Sequence, residues 1–162
     1  MKLYLRRDTS SENSRFIVCD ESGRPKFSVS GFATASTDRM VISSTLGNPL
    51  VTIRVARFPV FSVFSISDSS ERFAMTATHL RSGGDFRFHG ISWVFCRSSD
   101  IRSFEILDAD KSSVMLLCAD RYLSTGTYEL TINCKQRELF CIAAAICADS
   151  LNFGDVAKTV VV

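Results

Sequence analysis

The chain has 162 residues, 46% hydrophobic and 22% charged, with eight Gly and three Pro. That is enough apolar matter for one domain with a substantial core, and it excludes a disordered, collagen-like or low-complexity chain. Nineteen Lys+Arg against seventeen Asp+Glu leave a net charge of +2, too weak a field to argue for a nucleic-acid partner. Fourteen of the nineteen basic residues are Arg. Arg suits fixed planar contacts with carboxylates and phosphates, although composition bias is the simpler reading.

The N-terminal stretch Met1-Lys2-Leu3-Tyr4-Leu5-Arg6-Arg7-Asp8 has no hydrophobic core region of the kind a secretory signal carries. The six cysteines, Cys19, Cys96, Cys118, Cys134, Cys141 and Cys147, form no CxxC, and only His79 and His89 could assist them in binding zinc. We therefore expect free thiols, no metal and no cofactor, and a cytoplasmic protein.

From residue 16 to residue 134 the dominant signal has period two. Lys26-Phe27-Ser28-Val29-Ser30 alternates, as does Val51-Thr52-Ile53-Arg54-Val55. The same holds for Glu71-Arg72-Phe73-Ala74-Met75-Thr76, Phe86-Arg87-Phe88 and Tyr128-Glu129-Leu130-Thr131-Ile132-Asn133. Such alternation marks strands with one buried face, and the abundance of Phe, Val, Ile and Thr agrees. Turn signals punctuate the runs: Asp20-Glu21-Ser22-Gly23-Arg24-Pro25, Leu46-Gly47-Asn48-Pro49, Ser82-Gly83-Gly84-Asp85 and Asp108-Ala109-Asp110-Lys111-Ser112. Their short spacing implies antiparallel hairpins, about twelve strands in all.

A shift of 64 residues superposes strands without a gap. Ile42 falls on Ile106, Val51 on Met115, Ile53 on Leu117, Phe64 on Tyr128 and Ile66 on Leu130. Arg57-Phe58 falls on Arg121-Tyr122, and Val29 on Trp93, which is expected inside. We read this as two repeats, about 15–68 and 79–134, within a single domain spanning 1–162.

The period then changes. Residues 137–149 have high helix propensity, and 139–148 form the longest apolar run, about half of what a bilayer span needs. Leu139, Ile142 and Ile146 make one stripe, while Phe140, Cys141, Ala143, Ala144 and Cys147 fill the other faces. A helix apolar all round must be buried all round. A helix with its side chains is about 10 Å across, wider than the interior of an eight-stranded barrel. The expected fold is therefore β-rich (α+β): a closed antiparallel barrel of about twelve strands around a central hydrophobic C-terminal helix, with no transmembrane segment.

The segments Phe16-Ile17-Val18-Cys19-Asp20-Glu21-Ser22-Gly23, Phe27-Ser28-Val29-Ser30-Gly31, Ile53-Arg54-Val55 and Gly126-Thr127-Tyr128-Glu129-Leu130 carry a resemblance, followed by the apolar helix. In order and spacing the chain resembles the LURP-one-related family of the tubby-like C-terminal superfamily, related to phospholipid scramblases. The resemblance implies the barrel-around-helix fold and points to lipid-associated relatives, and it assigns no binding residue. Residues 82–97 fit the family pattern less well, and 152–162 extend past it.

No catalytic motif appears. Asp108-Ala109-Asp110-Lys111-Ser112 opens like a calcium loop but has Ser113 and Ala119 where Gly and Glu belong, so a hairpin turn is the better reading. Ser82-Gly83-Gly84-Asp85 lacks the Lys-Ser/Thr of a phosphate loop. His79 and His89 read as surface residues at hairpin ends. On the outward strand faces Lys26, Arg54, Arg72 and Arg87 are candidates to meet an anionic lipid headgroup, against the simpler reading of solvated charges. Phe61 and Val63 are candidate partner contacts if they face outward, and a β-bulge near Pro59 would instead bury them. The expected function is a non-enzymatic binding module for an anionic phospholipid or a protein. The alternative is an enzyme whose site assembles only in three dimensions at the barrel mouth.

Overall fold

A computed structural model of the chain describes residues 1–10, 14–31, 39–80, 85–97, 103–119 and 127–159. Twelve strands form one closed antiparallel barrel in which each strand pairs with its neighbours in sequence and β12 returns to β1. In chain order they are β1 (Lys2–Arg7), β2 (Ser14–Cys19), β3 (Pro25–Ser30), β4 (Arg39–Ser44), β5 (Pro49–Arg57) and β6 (Phe61–Asp68). The remainder are β7 (Ala74–Leu80), β8 (Phe86–His89), β9 (Val94–Arg97), β10 (Ser103–Leu107), β11 (Ser113–Ala119) and β12 (Thr127–Ile132). A short 3-10 turn, Lys135–Arg137, leads into α1 (Glu138–Thr159). Closure leaves no sheet edge to pair with other chains.

The alternation in sequence becomes the inside of the barrel. Leu3, Leu5, Phe16, Val18, Val29, Met40, Ile42, Val51, Ile53, Phe64, Ile66, Ile106, Met115 and Leu130 are all buried. They surround the helix, and Phe140 through Asp149 are buried without interruption. Trp93 lies inside, as expected. None of the six cysteines is in a disulfide, and Cys19, Cys141 and Cys147 are buried. No helix among the described residues is long and apolar enough to cross a membrane.

The helix starts at one mouth of the barrel and leaves by the other. At the start mouth Lys26 pairs with Glu138. Arg137 lies 4.0 Å over the Phe73 ring, which meets Phe140 edge-on at 4.6 Å. The N-terminal ammonium donates to the Ile132 carbonyl at 3.1 Å. The wall is least continuous between β8 and β9, which share a single register pair, Arg87 with Val94. Aromatic rings bridge that seam from within, Phe86 to Phe95 at 5.3 Å and Phe88 to Trp93 at 5.9 Å, and Phe95 continues to Phe104 on β10 at 5.0 Å.

Four expectations need correction. Period two was read only from residue 16, yet β1 begins at Lys2. Its outward Lys2, Tyr4 and Arg6 follow the same alternation, but in a six-residue segment at the chain start that is a weak signal. The helix was expected to end near residue 149, but its backbone continues to Thr159. Arg72 was placed on a strand face; it is exposed in the turn before β7, which starts at Ala74. His79 was read as a surface residue at a hairpin end, but it lies within β7 on the inward register, with its ring 5.1 Å from that of Phe86. The pair Arg121-Tyr122 and residues 82–84 lie outside the described residues.

Candidate functional site

Two regions gather polar or exposed apolar groups that the core does not explain. The first is the outer wall made by β4 to β8. Antiparallel register sets Arg39 opposite Arg54, Arg54 opposite Ser65, Ser65 opposite Thr76 and Thr76 opposite His89. One outward rung toward the exit mouth, Ala56, Val63, Thr78 and Arg87 form a second row. Arg39, Arg54, Arg87 and His89 are exposed. Strand spacing puts Arg54 and Arg87 about 15 Å apart on one face. The single carboxylate within these five strands is Asp68, at the end of β6. It turns into the β6–β7 connection, accepting the Ser70 hydroxyl at 2.8 Å and the Phe73 N–H at 3.3 Å. The opposite wall mixes signs: Glu105 on β10 and Glu129 on β12 stand beside outward Lys2 and Arg6 of β1, and Glu129 is bridged to Lys2 at 2.8 Å. The β4 to β8 wall is thus the side whose positive charge is left unbalanced.

The cationic wall runs into an apolar tip. The β5–β6 hairpin closes tightly, with Phe58 N–H donating to the Phe61 carbonyl at 2.9 Å. Phe58 is 44% exposed and Val60 67%, and the Phe58 and Phe61 rings stack at 4.6 Å. Leu80, opposite Phe61 in the register, is also exposed. The β5–β6 ladder runs without a register shift from Val51–Asp68 to Arg57–Ser62, so no bulge intervenes near Pro59. Phe61 and Val63 accordingly face outward, half-exposed, while Phe64 and Ile66 face in.

Of the four basic candidates, Arg54 and Arg87 share this wall. Lys26 and Arg72 do not: both sit at the start mouth. Lys26 was expected to point into solvent, but its ammonium is held by Glu138 and lies 5.5 Å from the Phe27 ring. A register shift at Cys19, opposite Pro25, lets the start of β3 fold over the helix terminus. His79 and His89 are three rungs apart on opposite faces of the wall, so they form no common site. Asp108 to Ser112 form the β10–β11 hairpin. Asp108 accepts from the Ala109 N–H and Asp110 from the Ser112 N–H, holding a turn in which Lys111 has φ 65°.

The second region, which sequence reasoning missed, is the exit mouth. Asp149, read as a polar flank of the helix, is only 2% exposed. Tyr128 at the start of β12 donates its hydroxyl to Asp149 Oδ1 at 2.6 Å. Arg7 at the end of β1 lies 3.7 Å from Oδ1, and Arg15 on β2 lies 3.8 Å from Oδ2. Both guanidiniums also lie over the Phe16 ring, at 5.7 and 6.0 Å. A register shift between Ser14 and Phe16 adds a residue to β2 at this point and turns Arg15 inward, where it donates to Met40 Sδ at 3.1 Å. Burial pushes the Asp149 carboxyl above its ordinary range, outweighing the two arginines. Burial first, and then the bond to Asp149, push the Tyr128 hydroxyl up as well. Burial lowers Arg15, aided by repulsion from Arg7 and Arg57, although Asp149 opposes the shift. Among the described residues no group of three or more His, Cys, Asp or Glu could hold a metal ion.

The family model described as LURP-one-related matches residues 1–149. The chain belongs to the LURP-one-related family. The barrel also matches an X-ray structure of a protein from Arabidopsis thaliana, with a TM-score of 0.61 and 16% identity over 93% of this chain and 91% of that one. At that identity the likeness speaks for the fold alone, a closed barrel consistent with the tubby-like fold. Among curated proteins none matches the chain.

Proposed function

We propose that this LURP-one-related domain is a non-enzymatic binding module that docks on an anionic lipid surface. The supporting observation is the sidedness of the barrel. The outer wall of β4 to β8 carries Arg39, Arg54 and Arg87 with no outward carboxylate, and it ends in the exposed hairpin of Phe58, Pro59 and Val60. Each arginine near an anionic bilayer contributes about 1 kcal/mol, so three supply about a hundredfold preference over a neutral surface. The aromatic tip suits the headgroup boundary, where apolar rings leave water while the guanidiniums stay at the charged level.

Co-sedimentation with phosphatidylcholine vesicles, with and without phosphatidylserine, tests the reading. Binding should require the anionic lipid and weaken with salt. The double variant Arg54→Glu/Arg87→Glu should abolish it, and Phe58→Ser/Val60→Ser should weaken it without removing the salt dependence. Equal pelleting with neutral and anionic vesicles refutes the proposal, as does pelleting with neither.

A further inference from the structure

The positive charge of the docking wall is unevenly spread. Arg54 and Arg87 lie three strands and about 15 Å apart, too far for one headgroup phosphate to meet both. Arg39 and Arg54 are instead direct register partners on adjacent strands, both exposed, with Cα atoms about 5 Å apart. Like charges directly opposite each other destabilise a sheet. Among the described residues neither arginine is in an ion pair that would relieve the repulsion.

Both arginines stand on the wall itself. Arg54 is inside β5, laddered to β4 on one side and β6 on the other. Arg39 opens β4, and Gly31, just past β3, lies so close to its carbonyl oxygen that a Cβ there would come within 2.2 Å. The next group along the same outward rung is the exposed hydroxyl of Ser65, directly opposite Arg54. Two planar forks and a hydroxyl are thus presented side by side on an open surface, and no cavity is needed to reach them.

We infer that Arg39, Arg54 and Ser65 form a headgroup site for a phosphate monoester lipid, phosphatidic acid; the site deepens the docking reading and rests on it. A phosphate monoester carries three free oxygens and a charge approaching −2 at neutral pH. Each guanidinium takes one edge of the phosphate and the Ser65 hydroxyl donates to the remaining oxygen. A dianion between the two arginines replaces their repulsion with two attractions. A phosphodiester headgroup such as that of phosphatidylglycerol has two free oxygens and one negative charge, so it satisfies one fork and leaves the other. Arg87, the only charge on its rung, treats the two lipids alike.

The test is co-sedimentation of the full chain with phosphatidylcholine vesicles containing either phosphatidic acid or phosphatidylglycerol, adjusted to equal zeta potential. Phosphatidic acid should bind at least about tenfold more tightly, the usual worth of one further hydrogen bond to a charged group. Arg39→Lys/Arg54→Lys keeps the charge but replaces the forks with point charges. It should retain binding to phosphatidylglycerol and lose the preference. Arg87→Lys should keep the preference, and Ser65→Ala should narrow it. Equal binding of the two lipids by the wild type overturns the headgroup site and leaves the docking wall standing. A preference that survives in Arg39→Lys/Arg54→Lys overturns the assignment to these arginines. Pelleting with neither lipid removes the wall and the site together.

Discussion

Ile146 stands at 0% exposure near the middle of the buried part of α1, enclosed by a wall that is hydrogen-bonded all the way round. Replacing it with Ala removes three carbons from a site that cannot easily shrink. A helix packed on an open sheet can settle toward it, but a helix inside a closed barrel has wall on every side and no free direction in which to move. The cost should therefore fall in the upper part of the usual range of about 2–5 kcal/mol for such truncations. Removing the helix altogether extends the same argument. Phe140, Ile142 and Ile146 at about 1.5–3 kcal/mol each give about 5–9 kcal/mol, comparable with the whole stability of an ordinary domain. Urea unfolding followed by Trp93 emission and far-ultraviolet circular dichroism measures both. The Ile146→Ala midpoint should fall with unchanged slope, and a chain truncated before Glu138 should show no cooperative transition. A loss below about 1 kcal/mol for Ile146→Ala, or a sharp melt of the truncated chain, would show that the helix is peripheral and would refute the enclosure argument.

Stability should also fall in alkali. Burial pushes the Cys141 thiol from 9.0 up to about 12, and it pushes Cys147 and Tyr128 upward too. Groups with raised folded pKa values stabilise fully below their unfolded values and lose that contribution as pH rises through the folded ones. Above pH 9 each thiol therefore removes about 1.4 kcal/mol per pH unit. Unfolding free energies from urea titrations at pH 8 and pH 10 should differ by about 2–3 kcal/mol for the two thiols, and identical values would contradict the burial of both. Gly31 has φ 98°, and a Cβ there would come within 2.2 Å of the Arg39 carbonyl oxygen, whereas Gly23 has φ 80° with open space around it. Gly31→Ala should cost clearly more than the about 1–2 kcal/mol of left-handed strain expected for Gly23→Ala, and chemical denaturation of the two variants ranks them. Trp93, at 6% exposure, should emit in the blue in the native state and shift to the red only with global unfolding. A native spectrum already at the red limit would place it outside.

The wall and its helix were legible because each rests on a local rule. Period two told the inward residues from the outward ones through most of the strands, and the loss of any polar face between Phe140 and Ala148 required a surrounding wall. The strand count and the closure follow from those two facts. The 64-residue shift pairs residues that both face in, such as Ile42 with Ile106 and Val29 with Trp93. Alternation alone gives that result at every second position, so the coincidence adds nothing to the case for two repeats. The exit mouth was illegible for a different reason. Its groups come from β1, β2, β5, β12 and α1, and no spacing in sequence announces that residues 7, 15, 57, 128 and 149 meet. Arg15 had a further disguise, because one inserted residue on β2 reverses the facing that alternation would assign. The only available cue was an Asp immediately after ten apolar residues. It was passed over as the end of the helix, although the helix continues beyond it.

The seam between β8 and β9 gives the barrel an uneven response to temperature. Elsewhere around the wall the strands are joined by backbone ladders of at least four register pairs, as between β9 and β10. At the seam one pair remains, and the two strands are held chiefly by Phe86, Phe88, Trp93 and Phe95 behind them. Contact between rings driven by release of water weakens on cooling, unlike a hydrogen-bonded ladder. Chilling should therefore loosen this one junction while the rest of the cylinder holds, turning a closed tube into a rolled sheet with a free hem. Amide protons of β8 and β9 would then exchange fastest near freezing relative to those of the other strands, the reverse of the uniform fraying that heat produces.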